Sequence, residues 1–400
     1  MFRQASRLDN VPVSASAALT QMAREITQGG GNVIPLSLGE PDFDTPAHVV
    51  EAAHAAALRG ETRYPPQPGT PALKSAIRAK FLRDNNLDYA LDEIMVANGG
   101  TQIIFDAFMA SVNPGDEVLV PAPYWISYAN MVKFAAGVPV AVPCHEENRF
   151  KLRVADIEAA ITPRTKWLVL NFPNNPTGAA CTRAEMREIA DLLLRHPRIM
   201  VLTDDMYEHI LYDGAEFCTI AQVEPALRDR VLTVNGVSKT YAMTGWRVGF
   251  CGGPKPLLAA MLNVQGQTTS GICSVAQAAA AAALDGPQDY LALRRDSYRA
   301  RRDLVMGLLA ETPGLRCHRP EGAFYAFPSM QAHLGKRSKG GTPIENGQDF
   351  VLALLREKHV ATVYGAAYGM EGYFRISYAA SPAQLTEGCR RISEFCHELC

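Results

Sequence analysis

The chain has 400 residues, 48% of them hydrophobic, and a formal net charge of −2. That length supports two or three domains with a large core, and the composition excludes a disordered polymer. The balanced charge, with no long basic run, excludes an electrostatic nucleic-acid binder, and no apolar run is long enough to span a bilayer.

The first ten residues carry no apolar segment, so a secretory leader is not expected. Nine cysteines are scattered without Cys-x-x-Cys spacing, which points to reduced thiols and a cytoplasmic address. Residues 14–28 read as an amphipathic helix stopped by Gly29-Gly30-Gly31. Residues 34–38 are a strand candidate that runs into Gly39-Glu-Pro-Asp-Phe-Asp-Thr-Pro, by itself an ordinary turn. A helix follows Pro46 to about Arg59. Arg63-Tyr-Pro-Pro-Gln-Pro-Gly is then a fixed, extended loop that carries Tyr64. Thr70 caps the next helix, with Pro71 at its first position. Residues 94–97 form a strand, followed by Asn98-Gly-Gly-Thr and an apolar helix over 102–112. Strand, glycines and helix start together make an anion site, because free N–H groups and the positive end of the helix dipole face one point. The pattern is not Gly-x-Gly-x-x-Gly, which disfavours a dinucleotide fold. Residues 117–120 form a strand ending at Pro121-Ala-Pro-Tyr-Trp. Trp125 is either a core aromatic or a flat surface for a planar ligand.

Residues 167–170 are the next strand, ending in Asn171-Phe-Pro-Asn-Asn-Pro-Thr-Gly. An amide at a strand end can donate to a phenolate oxygen, although Asn-Pro-Thr-Gly alone is a common turn. Residues 199–203 precede Asp204-Asp-Met-Tyr. A carboxylate at that strand end keeps a nearby ring nitrogen protonated. A solvated acid at a helix start is the alternative, which suits Asp205 better than Asp204. Residues 231–234 are an apolar strand before Gly236-Val-Ser-Lys-Thr-Tyr-Ala-Met-Thr-Gly-Trp-Arg-Val-Gly. Lys239, just past the strand end, suits an amine that loses its proton in a partly dry pocket and attacks a carbonyl. Arg247 stands between Gly245 and Gly249 and suits a two-donor grip on a phosphate, where glycines let the backbone come close. Past Gly249 the chain reads as helical, with a buried helix over 278–284. The charged run 291–302 reads as a solvated helix face leading into a second domain. Residues 320–327 read as a strand, 335–341 as a flexible surface loop, and 374–378 as an alternating strand. On that last strand Arg375 is either a surface charge or an anion ligand. Strands alternating with helices, and candidate residues at strand ends, give an α/β fold with a largely parallel sheet.

The Lys239 stretch resembles the lysine-site signature of class I pyridoxal-phosphate aminotransferases, the aspartate aminotransferase family of fold type I. The resemblance extends from the Gly39 loop to Arg375. It implies a mostly parallel seven-stranded sheet flanked by helices in a large cofactor domain, residues 48–285. A smaller α+β domain is implied for residues 1–47 and 286–400. Lys239 is implied as the catalytic residue, carrying pyridoxal 5′-phosphate as a Schiff base and then serving as base and acid at the substrate Cα. Gly100 and Thr101 are implied at the cofactor phosphate, with Ser238 and Arg247 beside them. Trp125 is implied against the ring, Asp204 at its nitrogen, and Asn175 and Tyr207 at its oxygen. Gly39, Trp125, Asn175 and Arg375 are implied on the substrate side, Arg375 as a bidentate partner of the α-carboxylate. Tyr64 is implied to reach the cofactor of the other subunit in a homodimer with shared active sites. A cis peptide is implied at Asn175–Pro176. No metal is implied. The family usually has glutamate where Asp205 stands.

The implied reaction moves an amino group from an L-amino acid, aspartate first, to a 2-oxo acid such as 2-oxoglutarate. One departure bears on the donor. Bacterial members of that branch commonly carry lysine after the paired glycines, in reach of aspartate's distal carboxylate, and here the residue is Thr101. Ser14, in the helix the family folds over the active site, offers one further bond. Broad, aromatic or neutral amino-acid specificity stays open, as does a lyase on the same site. A regulatory cofactor-binding protein needs a DNA-binding domain ahead of the fold, and the segment before Gly39 is expected to be too short for one. Neither nucleic acid nor membrane is expected as a partner.

Overall fold

The computed structural model describes residues 2–9, 11 and 15–400. The expectation placed on Ser14 lies outside them. Strand β1 (Ile34–Pro35) is short. The central sheet follows: β2 (Ile94–Ala97), β3 (Glu117–Ala122), β4 (Val138–Pro143), β5 (Thr165–Leu170), β6 (Met200–Asp204), β7 (Val231–Gly236) and β8 (Gly249–Gly252). These strands pair in the order β2-β8-β7-β6-β5-β3-β4. β3 to β7 run parallel, and β8 is antiparallel to both β7 and β2. Two reversals turn β2 back to the direction of β7, so every strand but β8 ends on the same edge.

Helices on both faces explain the strand sequences. Along β2, Ile94 and Val96 pack into one core with Ile77 and Phe81. Met95 and Ala97 pack into the other, with Ile103 and Met261. A strand covered on both sides reads as a continuous apolar run, because neither face is left for water. Each such large side chain contributes about 1.5–3 kcal/mol on burial. Helix Pro71–Asn85 starts as its sequence predicts: the Thr70 hydroxyl accepts from Leu73 N at 3.4 Å, with Pro71 in the first turn.

A second group of strands comprises β9 (Tyr325–Ala326), β10 (Val360–Ala361), β11 (Val363–Tyr364) and β12 (Phe374–Ser377). β1 pairs in parallel with β10, which joins N-terminal residues to this C-terminal layer. β12 lies between β11 and β9 and carries Arg375 inward.

Several expectations are corrected. The chain past Gly249 is first a strand, β8, and turns helical at Lys255–Thr268. Residues 320–327 contribute only Tyr325–Ala326 to a sheet, because Ala323 adopts a left-handed φ of 55° that breaks the extended run. Residues 34–38 pair only at Ile34–Pro35; Leu36 offers its carbonyl to Ser377 N instead. The charged run is not solvated throughout. Arg302 is fully buried and bonds both Asp213 oxygens, at 2.7 and 2.9 Å. Arg301 bonds Asp42 at 2.6 Å and lies over the rings of Phe43 and Tyr298. A planar guanidinium stacks and pairs at once, which lets it enter the packing. The 335–341 loop is tied down: Arg337 exchanges two backbone bonds with Cys400, and Ser338 Oγ bonds Glu357. The cis peptides stand at Ala122–Pro123 and Phe172–Pro173, not at Asn175–Pro176. Asn175 and Pro176 are the middle of a turn closed by Gly178 N on Asn174 O and by Thr177 N on Asn174 Oδ1.

Candidate active site

The shared edge of the sheet gathers the candidate residues. Asp204 is the last residue of β6, and Asn171 follows β5 directly. Gly100 opens the helix after β2, and Ser238 and Lys239 follow β7. Together with Gly39, Thr101, Trp125, Asn175, Tyr207, Arg247 and Arg375 they line one cavity of about 370 Å³. Tyr64 is the exception. It is 98% exposed and lies outside the cavity of its own chain.

Lys239 Nζ donates to the Gly39 carbonyl at 2.6 Å. Burial lowers its pKa to about 8, and the nearby Arg375 and Arg247 charges act in the same direction. An ammonium made costly by desolvation becomes an amine near neutral pH, and only the amine attacks a carbonyl. Gly39 has to lack a side chain, since a Cβ there would stand 2.6 Å from Tyr325 Oη.

Asp204 faces the cavity from the other strand end. Its Oδ2 accepts from Tyr128 Oη at 2.5 Å, while its buried Oδ1 has no partner. Burial pushes the carboxyl up, and the Tyr128 hydroxyl opposes that shift. Asn171 Nδ2 bonds the Asp204 carbonyl at 2.9 Å, and its Oδ1 takes Asn175 N at 3.0 Å. Tyr207 Oη lies 2.8 Å from Tyr325 Oη. Asp205 corrects its expectation. It is buried and accepts from Thr203 Oγ1 at 2.6 Å, and burial raises its pKa to about 7.

The anion cradle is built from close backbone. Helix Gly100–Ser111 has no side-chain cap at its start, so no capping side chain competes with an anion there, although Gln102 N donates to Gly99 O. Thr101 is exposed in that first turn. Arg247 holds a left-handed φ of 56°, and its Nη1 donates to Thr244 O at 3.0 Å. Its guanidinium reaches Gly99 so closely that a Cβ there would stand 2.5 Å from Nη2.

Arg375 is buried, so it is not a surface charge. Nη1 donates to Asn175 Oδ1 at 3.0 Å, Nη2 donates to Ser37 O at 2.5 Å, and Nε has no partner. The Tyr325 and Tyr368 rings lie 4.5 and 5.2 Å from its carbon centre. A guanidinium with spare donors beside a cavity has the geometry to take a carboxylate.

The cavity residues not singled out from sequence include Tyr128, Tyr325, Glu40 and Thr244, the last two bonded to each other. Tyr128 had a signal, being three residues past Trp125 and so on the same side of a helical turn. Glu40 and Thr244 lie inside quoted stretches, beside Gly39 and between Lys239 and Arg247, and Tyr325 meets the site through long-range packing.

The set therefore holds an activated amine, a buried carboxylate with one free oxygen, an anion cradle, an aromatic plane and a guanidinium. These fit pyridoxal phosphate: the free Asp204 oxygen answers a protonated ring nitrogen, and the cradle answers a phosphate. The chain matches the family model for aminotransferase class I and II over residues 31–392. It is 51% identical over 392 residues to a probable aspartate/prephenate aminotransferase of Rhizobium leguminosarum bv. phaseoli, covering 98% of each chain. It is 52% identical over 398 residues to the aspartate aminotransferase of Rhizobium meliloti (strain 1021), covering 100% of this chain and 97% of that one. The crystal structure of an aspartate aminotransferase from Rhizobium meliloti is similar with a TM-score of 0.96 and 51% identity, covering 100% of both chains.

Proposed function

This chain belongs to the class I and II aminotransferases and is a pyridoxal-phosphate-dependent transaminase; from that premise we propose that L-aspartate is its amino donor, with 2-oxo acids such as prephenate and 2-oxoglutarate as acceptors. The observation that carries the site assignment is one cavity holding both the depressed amine of Lys239 and the buried guanidinium of Arg375. Arg375 holds the substrate α-carboxylate, with Asn175 beside it. Lys239 Nζ takes the Cα proton as free amine and returns it as ammonium. Asp204 keeps a proton on the ring nitrogen, while Asn175 and Tyr207 serve the ring oxygen. Gly100, Thr101, Ser238 and Arg247 hold the phosphate, and Trp125 supplies a flat wall. Bound pyridoxal phosphate supplies the electron sink for the pair left at Cα.

The names of the two relatives support the dicarboxylate donor. Among the described residues lining the cavity, the cations are Lys239, Arg247 and Arg375, and all three have tasks. Thr101 brings only a hydroxyl. An unpaired buried carboxylate is costly, so aspartate's distal group needs donors from beyond this set. We place them on the second copy of a homodimer, which the exposure of Tyr64 also supports. The division into residues 48–285 and 1–47 with 286–400 is supported by the pairing of β1 with β10. The cytoplasmic address rests on the dispersed cysteines.

A second reading, broad specificity toward aromatic or neutral amino acids, is favoured by Leu38, Ile104 and Trp125 on the same cavity wall. The two are separated by titrating the cofactor spectrum with aspartate, glutamate, alanine and phenylalanine in single half-reactions. Aspartate should convert the cofactor fastest. Conversion no faster than with alanine overturns the aspartate assignment. Thr101→Lys should raise the rate for aspartate relative to phenylalanine.

A further inference from the structure

Behind the cavity wall sits a charged group that is almost wholly buried. Glu208 follows Tyr207 directly and stands four residues past Asp204. Its side chain is 3% exposed and pairs with Lys80 Nζ. Asn235 Nδ2 donates to its Oε1 at 2.8 Å, and Asn85 Nδ2 donates to its Oε2 at 2.8 Å. His209 Nε2 lies 3.4 Å away. Lys80 and Asn85 both belong to helix Pro71–Asn85, and Lys80 Nζ donates to Asn85 Oδ1 at 2.7 Å. The Asn235 bond differs in where it leads. Asn235 is the residue before the end of β7, and its own Oδ1 accepts from Gly236 N at 2.7 Å. Lys239 follows four residues later. One carboxylate thus joins the turn bearing Asp204 and Tyr207 to the strand end bearing Lys239.

We propose that Glu208, acting through Asn235, is a positioning residue that fixes where Lys239 stands relative to Asp204 and Tyr207. The inference rests on the reading that Lys239 and Asp204 hold the cofactor. A buried ion pair is weak ground for a stability role, because desolvating both charges offsets much of their attraction. Lys80 and Asn85 already anchor Glu208 to the helix. The bond to Asn235 adds a fixed relation between two segments that share one ligand. Misplacing reacting groups by about 1 Å costs about 100-fold in rate, so such a relation has functional weight.

Two variants each remove one 2.8 Å bond to Glu208. Asn235→Ala cuts the tie to β7, and Asn85→Ala cuts a tie to the helix while leaving β7 untouched. Both should lower the melting temperature of the cofactor-free protein. Only Asn235→Ala should weaken pyridoxal phosphate binding, by roughly 10- to 150-fold in a fluorescence titration, the range that one hydrogen bond to a charged group spans. It alone should also shift the pH midpoint of the bound cofactor's absorbance. If Asn235→Ala yields no folded protein, Asn235→Ser is read in the same way. Equal changes in affinity and midpoint for Asn235→Ala and Asn85→Ala, or none for Asn235→Ala, overturn the proposal. Wild-type enzyme in which borohydride fixes no cofactor on Lys239 overturns the underlying assignment instead.

Discussion

Asp204 and Asp106 are both buried carboxyls, and the chain provides for them in opposite ways. Asp204 has the Tyr128 hydroxyl at 2.5 Å and one oxygen left for a ligand. A hydrogen bond to a charged group is worth about 1.5–3 kcal/mol, so Tyr128→Phe should weaken pyridoxal phosphate binding by roughly 10- to 150-fold. Equilibrium dialysis checks this, and an affinity within about twofold of wild type would remove Tyr128 from the site. Asp106 lies on helix Gly100–Ser111 with 0% exposure and no partner for either oxygen. Burial raises its pKa from the ordinary 3.8 of an aspartate to about 7. Between those values the folded protein binds a proton that the unfolded chain has released. Its contribution to stability is therefore complete below the lower value and is lost as pH rises through the upper one. Asp106→Asn cannot ionise. The melting temperature of this variant, minus that of wild type, should climb between pH 4 and pH 7 by on the order of 2–4 °C. A difference that stays level over that range would mean that Asp106 is ionised in the folded protein.

At the scale of elements, β8 shows what sequence conceals. Gly249-Phe-Cys-Gly has none of the β-branched character of β2 or β7, and nothing local marks it as a strand. It is one because its backbone fits between Ala97 and Gly236. A Cβ on Gly249 would collide with Gly100 N and Gly99 C, the start of the helix that forms the anion cradle. The strands ending at Asp204 and Gly236 were legible for the opposite reason: buried on both faces, they open on apolar residues, Met200-Val-Leu and Val231-Leu, and admit only the small polar Thr203 and Thr233 before Asp204 and Asn235. Gly245 and Gly249 look equivalent around Arg247, yet a Cβ on Gly245 meets nothing within 4 Å. Gly249→Ala should cost about 1–3 kcal/mol from forced backbone movement and should weaken cofactor binding as the cradle shifts. Gly245→Ala should stay within about 0.5 kcal/mol of wild type. Denaturant unfolding with parallel cofactor titration tests both, and equal effects would contradict the packing argument.

On the scale of the whole molecule, the candidate site was legible where its residues sit at strand ends and illegible where it depends on distant partners. Lys239, Asp204 and Asn175 lie in recognisable local patterns. The Nη2 bond from Arg375 to Ser37 O joins residues 338 positions apart, and no local pattern announces such a contact. Tyr64 takes this argument beyond one chain. Its side chain is 98% exposed, yet its loop is not loose: Gln265 Nε2 donates to Gln67 O at 3.1 Å, and Ser274 Oγ donates to Glu61 O at 2.5 Å. A fixed loop that presents a bare aromatic, with no place in its own cavity, is expected to complete the cavity of a second copy. Complementation tests this. Lys239→Ala should be inactive, and Tyr64→Phe should bind the cofactor less tightly. In a hybrid dimer of the two, with Tyr64 acting across the interface, one site carries both lesions and the other carries neither. Mixing the variants under conditions of proven subunit exchange should then restore tight-binding active sites, up to one in each hybrid dimer. If Tyr64 serves its own chain, every hybrid retains one lesion per site, and exchange brings no recovery.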